Sequence, residues 1–448
     1  MANKIVKLNE RQDNYWQEYD VVGDASNVVY NVDNDTPNVE SVLTSIADKT
    51  IAPGGGYWED CNDEELNIDF SEYTDTYLCN AGHYYVFVGV VGYDNNILTL
   101  DLYTAFDVFR GVGEGYVHYQ QINVNVNSGI IGRPTLFMGV CNLFLFIPCD
   151  ATDNNIVQII TYKDLYRGNI GWEPSSLSYP NAMLDDVICN TYSYYKQGDY
   201  IIAKGKQTYQ VDENYGILTN LLHFNVLITD KEIPLSDNVS EWDLLIPTES
   251  SSDIYQCKDF LHDDMIDLIF AYRKNQSLCQ LYYINPYSGE ATMIDGDAQI
   301  ISMIRALHKV CILDEYIDEY EENAQKITLY KRNFDDISYY SNTLPKDVSR
   351  AWKYLIGNDY RLYVVSILGD IIYGNEIYDQ NHIDFILVNQ DRDENKEGKK
   401  SLKSYCRNHG VILDGQFCTD EDNINIVALL KFSDGTIKLL RTCVDTVV

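Results

Sequence analysis

From residue 84 onward the chain repeats one pattern: an apolar β-rich run, a tight polar turn, then a second β-rich run. Residues 84–92 lead through Asp94-Asn95-Asn96 into 97–102. Asx-rich turns tolerate positive φ and so join antiparallel strands. The same reading pairs 136–147 with 156–162 and 266–272 with 278–284. It pairs 199–203 with 207–211, turning near Gly205. It pairs 307–313 with 327–330 across an acidic loop, 314–323. Residues 360–368 turn at Gly369-Asp370 into Ile371-Ile372-Tyr373, and 424–432 turn at Ser433-Asp434-Gly435 into 436–440. Between these hairpins lie alternating pieces such as Ile122-Asn123-Val124-Asn125-Val126, which suit a strand with one wet face. Long helical periodicity is nearly absent.

The hairpin starts step along the chain by roughly 40 to 70 residues, a period of arrays and propellers. The clearest unit is Leu281-Tyr282-Tyr283-Ile284-Asn285-Pro286-Tyr287-Ser288-Gly289-Glu290, where a strand ends in a Pro/Ser/Gly turn before Ala291-Thr292-Met293-Ile294 resumes. It resembles the passage from third strand through turn to fourth strand in β-propeller blades. Asp101-Leu102-Tyr103 and Tyr162-Lys163-Asp164 are looser echoes, and no Trp-Asp dipeptide, kelch double glycine or aspartate box recurs. The expected fold class is therefore all-β: an irregular β-propeller of about seven blades of antiparallel strands. Such a ring needs sealing, because an open sheet leaves an unpaired edge. The alternating Leu66-Asn67-Ile68-Asp69-Phe70 is the expected closing strand.

Two segments break the pattern. Residues 1–65 are rich in Asn and Asp and read as an N-terminal extended arm or strap ahead of a propeller at 66–448. A short helix is expected there after Thr36-Pro37, with Val39, Val42, Leu43 and Ile46 on one face. The second segment is an insertion loop at 391–410, polar and locally basic, with Lys396, Lys399, Lys400, Lys403 and Arg407. In an acidic chain it is a candidate contact loop.

Composition narrows the function. Lys and Arg number 33 against 68 Asp and Glu, a formal charge of −35 over 448 residues. Specific nucleic-acid binding relies on cations that neutralise phosphates, so it is disfavoured, as are anionic membrane surfaces. A partner with a basic surface stays open. The 37 tyrosines suit half-buried strand positions, where the ring packs and the hydroxyl stays wet. Tyr, Asn, Asp and Ile also share AT-rich codons. Eleven cysteines, without a Cys-x-x-Cys pair, read as free buried thiols of a reducing compartment. The start, Met1-Ala2-Asn3-Lys4-Ile5-Val6-Lys7, has no apolar leader core, and the longest apolar stretch, 136–149, is too short to span a bilayer. The expectation is synthesis in a host cytoplasm without signal peptide or membrane insertion.

No motif carries chemistry. Gly111-Val112-Gly113-Glu114-Gly115 lacks the strand-to-helix setting of a dinucleotide loop, and Pro53-Gly54-Gly55-Gly56 lacks the Lys-Ser/Thr of a P-loop. Asp391-Arg392-Asp393-Glu394-Asn395 and Asp420-Glu421-Asp422-Asn423 offer alternate oxygens, without the glycine and distal Glu of an EF-hand. Carboxylate pairs such as Asp263-Asp264, Glu59-Asp60 and Glu321-Glu322 are expected by chance among so many acids, and His262 has no nucleophile motif beside it. Trp16, Trp58, Trp172, Trp242 and Trp352 fall outside the hairpins and read as packing between blades. No catalytic, cofactor-binding or metal-binding residue is assigned.

The overall pattern resembles the propeller domains of nozzle and tail-end proteins of short-tailed phages. That resemblance implies a virion structural protein that forms a homo-oligomeric ring with other virion proteins as neighbours. The arm and rim loops would make heterologous contacts. An acidic body has a use there, since carboxylates lining a DNA channel repel phosphate. No functional residue is carried over. The alternative is a glycan-binding or glycan-processing propeller, with Tyr and Trp stacking on sugars.

Overall fold

The computed structural model describes residues 5–12, 15–22, 57–62, 66–82, 84–106, 116–126, 133–138, 143–148, 155–162, 171–179, 183–190, 199–211, 214–226, 242–244, 256–263, 268–274, 279–284, 290–296, 299–307, 309–317, 323–333, 336–345, 352–357, 361–377, 382–387, 400–419 and 425–443. Two compact units are present, Met1–Gly54 with Asp445–Val448 and Gly55–Val444. The first contains an antiparallel pair, β1 (Ile5–Gln12) and β2 (Tyr15–Val22). The helix expected after Pro37 lies outside the described residues.

The second unit is a β-propeller of seven four-stranded antiparallel sheets. A short strand, β3 (Glu59–Asp60), comes first in the chain. Blade 1 is β4 (Asp75–Ala81), β5 (Tyr84–Asp94), β6 (Ile97–Phe106) and β7 (Tyr116–Asn125). Blade 2 is β8 (Thr135–Met138), β9 (Leu143–Pro148), β10 (Asn155–Tyr162) and β11 (Trp172–Tyr179). Blade 3 is β12 (Met183–Asn190), β13 (Asp199–Val211), β14 (Asn214–Val226) and β15 (Trp242–Leu244). Blade 4 is β16 (Gln256–Asp263), β17 (Leu268–Lys274), β18 (Cys279–Ile284) and β19 (Ala291–Asp295). Blade 5 is β20 (Gln299–Ala306), β21 (Lys309–Ile317), β22 (Asn323–Asn333) and β23 (Asp336–Thr343). Blade 6 is β24 (Trp352–Gly357), β25 (Leu362–Ser366), β26 (Ile371–Ile377) and β27 (His382–Leu387). Blade 7 is β28 (Ile412–Thr419), β29 (Asn425–Phe432) and β30 (Ile437–Cys443), with β3 as its fourth strand. First strands touch across the blade junctions β4/β8, β8/β12, β16/β20, β20/β24, β24/β28 and β28/β4. That places them around the axis and leaves the fourth strands at the rim.

The continuous apolar runs have a simple cause. A blade packs on both faces, so alternate residues of its middle strands enter different cores. On β5, Val86, Val88 and Val90 join Leu145, Ile147 and Trp172 in a core with blade 2. Tyr85 and Phe87 join Val427, Leu429 and Leu439 in the core with blade 7. On β21, Cys311 and Leu313 face blade 6, and Val310 and Ile312 face blade 4.

The ring is sealed by β3, not by residues 66–70. Glu59 pairs with Arg441 and Asp60 with Leu440, and the Cys61 N–H donates to the Leu439 carbonyl at 2.9 Å. The expected closing residues do another job: Leu66 and Ile68 are buried in the blade 7–blade 1 core, and Phe70–Glu72 is a single 3-10 turn. Asn67 has φ 40°, which breaks the alternation the sequence suggests. On the other side of the seam the Gln416 side chain accepts from the Leu78 N–H at 2.8 Å and donates to the Thr76 carbonyl at 3.1 Å.

Six expected hairpins coincide with second and third strands: β5–β6, β9–β10, β17–β18, β21–β22, β25–β26 and β29–β30. The turn of β5–β6 uses Asn95 (φ 51°) and Asn96 (φ 65°). The run 136–147 is two strands, β8 and β9. The seventh hairpin is corrected. β13 runs unbroken through Gly205, and it pairs along its whole length with β14, from Asp199 opposite Val226 to Val211 opposite Asn214. Leu281 to Ile294 does span a third and a fourth strand, β18 and β19.

Candidate contact surfaces

Part of the basic segment is helical. Residues 391–399, with Lys396 and Lys399, lie outside the described residues. The rest forms α1 (Leu402–His409), which corrects the expected loop. Ser401 caps it, its Oγ accepting from the Ser404 N–H at 3.1 Å, and Gly410 ends it at φ +90°. Leu402, Tyr405 and Cys406, at helical spacing, are the buried face. Lys403 is committed to the buried Asp370 at 3.1 Å. Lys400 exchanges both backbone hydrogen bonds with Trp58, at 2.7 and 2.8 Å, and its ammonium lies 5.9 Å from the Tyr405 ring centroid. These two lysines therefore fix the helix and the seal, with Lys400 still exposed.

Blade 1 carries a polar and aromatic platform that no motif announced. On one face Phe87, Tyr103 and Tyr119 stand opposite each other across β5, β6 and β7, and the next row is Gly89, Asp101 and Gln121. Tyr73 lies over Gly89, where a Cβ would sit 2.4 Å from its ring. The Tyr73 hydroxyl donates to Asp101 Oδ2 at 3.1 Å. Tyr119 donates to Oδ1 at 3.2 Å, and Gln121 Nε2 donates to the same oxygen at 2.9 Å. Asp101 is only 5% exposed, so these donors replace its lost water. Burial raises the pKa values of Tyr73 and Tyr119, reinforced by Tyr103 and Asp101 for Tyr73 and by Asp101 for Tyr119, so both hydroxyls stay protonated donors. The rings of Tyr103 and Tyr119 are 4.9 Å apart, and Tyr119 at the rim is 50% exposed. The only hint in sequence was the echo Asp101-Leu102-Tyr103, an acid inside an apolar alternation.

Blade 5 has a parallel feature. Tyr330 and Tyr339 stack at 5.8 Å, with Tyr339 65% exposed on the rim strand. On the same blade Asp314 is 4% exposed, and its Oδ2 meets Lys326 Nζ at 3.4 Å. Its Oδ1 has no hydrogen-bond partner among the described residues. Burial outweighs the lysine and, with Asp295 adding repulsion, pushes the carboxyl up to about 6. This corrects the reading of 314–323 as a loop, because β21 runs on to Ile317 and β22 starts at Asn323.

The remaining candidates resolve as follows. Glu59 and Asp60 are the closing strand, paired with Arg441 at 3.0 Å and Lys438 at 2.7 Å. Asp391–Asn395, Asp420–Asn423, Gly111–Gly115, Pro53–Gly56 and Glu321-Glu322 lie outside the described residues, as do the side chains of His262, Asp263, Trp16 and Trp242. Trp58, Trp172 and Trp352 are buried. Cys61, Cys79, Cys279, Cys311, Cys406 and Cys418 are buried, and burial pushes the Cys418 thiol up to about 11. Among the described residues no cluster of three or more His, Cys, Asp or Glu could hold a metal ion. No helix among them is long and apolar enough to cross a membrane.

No protein family matches the chain by sequence, and no curated protein matches it. Solved structures align with it loosely. The Dos1 propeller is 11% identical over 89% of this chain and 96% of its own, with a TM-score of 0.46. The β-propeller domain of Myceliophteria thermophila Cps50 (Swd1) is 10% identical over 84% and 99%, with a TM-score of 0.42. Saccharomyces cerevisiae Sqt1 is 11% identical over 87% and 98%, with a TM-score of 0.40. At such scores the propeller assignment rests on the strand pairing itself.

Proposed function

We propose that the protein is a non-catalytic structural component of a large assembly, namely a tailed-phage tail, nozzle or ring protein that joins its neighbours through subunit contacts. The observation that carries this reading is where the ring closes. The sealing strand is Glu59–Asp60, so the propeller is complete without the separate unit that holds the first 54 residues. That unit is then an arm for contact with another subunit or virion protein, as in heterologous ring assembly. The charge of −35 supports the same reading, since a rigid acidic body avoids polyanions and attracts basic partners. The AT-linked composition agrees with a phage origin.

The test is the mass of the assembled full chain by mass photometry and electron microscopy. Rings or larger particles are expected, and deletion of residues 1–54 should return them to single propellers. A full chain that stays monomeric at every concentration and salt, alone and with its neighbouring gene products, defeats the proposal.

One feature favours a second reading, glycan binding: exposed tyrosine rings on rim strands at Tyr119 and Tyr339. Saturable binding from a polysaccharide panel, insensitive to salt and lost on replacing either ring, would support it. Hydrolysis abolished by one carboxylate-to-amide change would make the protein an enzyme instead.

A further inference from the structure

The platform on blade 1 has an exposed ring whose position is fixed from beneath. Tyr119 is held through its hydroxyl by Asp101 and flanked by Tyr103, so little side-chain freedom remains to be lost on binding. Rigid, tethered tyrosines at a rim are the residue type that anchors protein contacts.

The charge pattern selects the occupant. Both oxygens of Asp101 are already engaged, Oδ2 by Tyr73 and Oδ1 by Tyr119 and Gln121. Asp101 is buried beneath these donors, so a sugar ring stacked on Tyr119 gains little from its oxygens. What the platform does offer is negative potential. Asp101 lies beneath, and the exposed Glu72 ends the 3-10 turn immediately before Tyr73, near enough for its charge to act on the Tyr119 hydroxyl. A flat cation suits this arrangement. A guanidinium stacks on the electron-rich face of a tyrosine while its N–H groups reach a carboxylate.

We propose that Tyr119 and Glu72 form a docking point for an arginine side chain presented by a basic partner protein. The arginine stacks on the Tyr119 ring and is hydrogen-bonded by Glu72, and Asp101 positions the ring. This rests on the reading of the chain as one that works by protein contacts. It does not depend on the assembly being a virus particle.

The experiment uses the full chain and two fluorescein-labelled peptides, Gly-Arg-Gly-Arg-Gly and its citrulline analogue, read by fluorescence anisotropy at fixed salt. Thermal melting confirms that each variant is folded. The wild type is expected to favour the arginine peptide. Tyr119→Ala should weaken its binding by roughly tenfold, Glu72→Gln by about threefold, and Tyr119→Phe by about twofold, since the ring face survives. Tyr93→Ala, which removes another exposed tyrosine beside an acid, should change nothing. An equal loss at Tyr93, or no loss at Tyr119 and Glu72, overturns the proposal as mere attraction to an acidic surface. Displacement of the peptide by maltoheptaose overturns it in favour of a sugar site. Assembly mass is measured separately on the same variants. A chain that never assembles but keeps the Tyr119-dependent preference refutes the assembly reading alone.

Discussion

The side-chain amide of Gln120 closes two hydrogen bonds with the backbone of Trp172. Its Nε2 donates to the Trp172 carbonyl at 3.1 Å, and the Trp172 N–H donates to Oε1 at 2.7 Å. Gln325 does the same to Trp352, at 3.2 and 3.1 Å. In each case a glutamine of one blade supplies the pairing that a missing strand would give to the backbone of the next. The tryptophan it holds fills the core between blades, with Trp172 Nε1 donating onward to Thr104 at 2.9 Å. Gln120→Leu keeps the bulk and removes both hydrogen bonds, so it should cost about 1–3 kcal/mol in urea denaturation. Gln120→Glu should cost nearly as much, because a carboxylate cannot donate to the Trp172 carbonyl. A Glu variant as stable as the wild type would mean that the carbonyl is satisfied elsewhere.

Where the chain can be cut follows from the seal. A protein starting at residue 55 keeps Trp58, β3 and the Cys61 backbone bond, and it should melt cooperatively near the wild-type temperature. One starting at residue 63 loses all three and opens the edge of β30, so it should unfold or aggregate. Trp58→Ala is the point version. Trp58 is fully buried, and its removal should cost about 3–5 kcal/mol. Circular dichroism melts of the three proteins decide this, and a stable protein starting at 63 would show that the ring closes some other way.

The sequence was most legible where burial is two-sided. Second strands such as β25 and β29 are apolar almost throughout because each face meets a different blade, and those runs stand out without any motif. Legibility fails where a strand is short, polar or interrupted. Glu59–Asp60 has neither length nor alternation, and it is read as a strand only once β30 is known to need a partner. Gly205 reads as a turn, yet β13 passes straight through it because neighbouring strands hold both its sides. The eight residues of α1 carry their signal in Ser401, the spacing of Leu402, Tyr405 and Cys406, and Gly410, which a run of lysines obscures. The platform on blade 1 was out of reach for another reason. Tyr73 and Asp101 meet only because Gly89 leaves room for a ring, a relation between two strands and the segment before them.

Gly369 ties α1 to the turn between β25 and β26. It has φ +79°, and a Cβ there would lie 2.5 Å from the Leu402 carbonyl carbon and 2.6 Å from the Lys403 nitrogen. Those are backbone atoms of a helix held by the Lys403–Asp370 pair, so they cannot swing aside. Gly369→Ala should cost about 2–4 kcal/mol, from left-handed strain and overpacking together. Gly435 is the matched control, since it has φ +87° and nothing within 4 Å of its would-be Cβ. Gly435→Ala should cost only the conformational part, about 1–2 kcal/mol. Equal losses in chemical denaturation would mean that the helix backbone yields.

Asp314 should make stability depend on pH in a sense opposite to most carboxylates. Its pKa rises from 3.8 to about 6 on folding, because burial disfavours the charge more than Lys326 rewards it. The native state therefore binds this proton more tightly than the unfolded chain does. The stabilisation is complete below the unfolded value and is lost as pH rises through the native one. Relative to acid conditions, Asp314 at neutral pH costs on the order of 2–3 kcal/mol. Asp314→Asn removes the titration but keeps the shape, so the comparison isolates it from the other acids. The stability of the wild type minus that of the variant should rise as pH falls from about 7 to about 4 and stay flat above about 7.5. Protonation also releases Lys326 from its 3.4 Å contact, so the wild-type advantage at low pH should not depend on salt. Matched urea titrations across that range provide the measurement. A difference that falls with decreasing pH would mean that the Lys326 ion pair outweighs burial at this site.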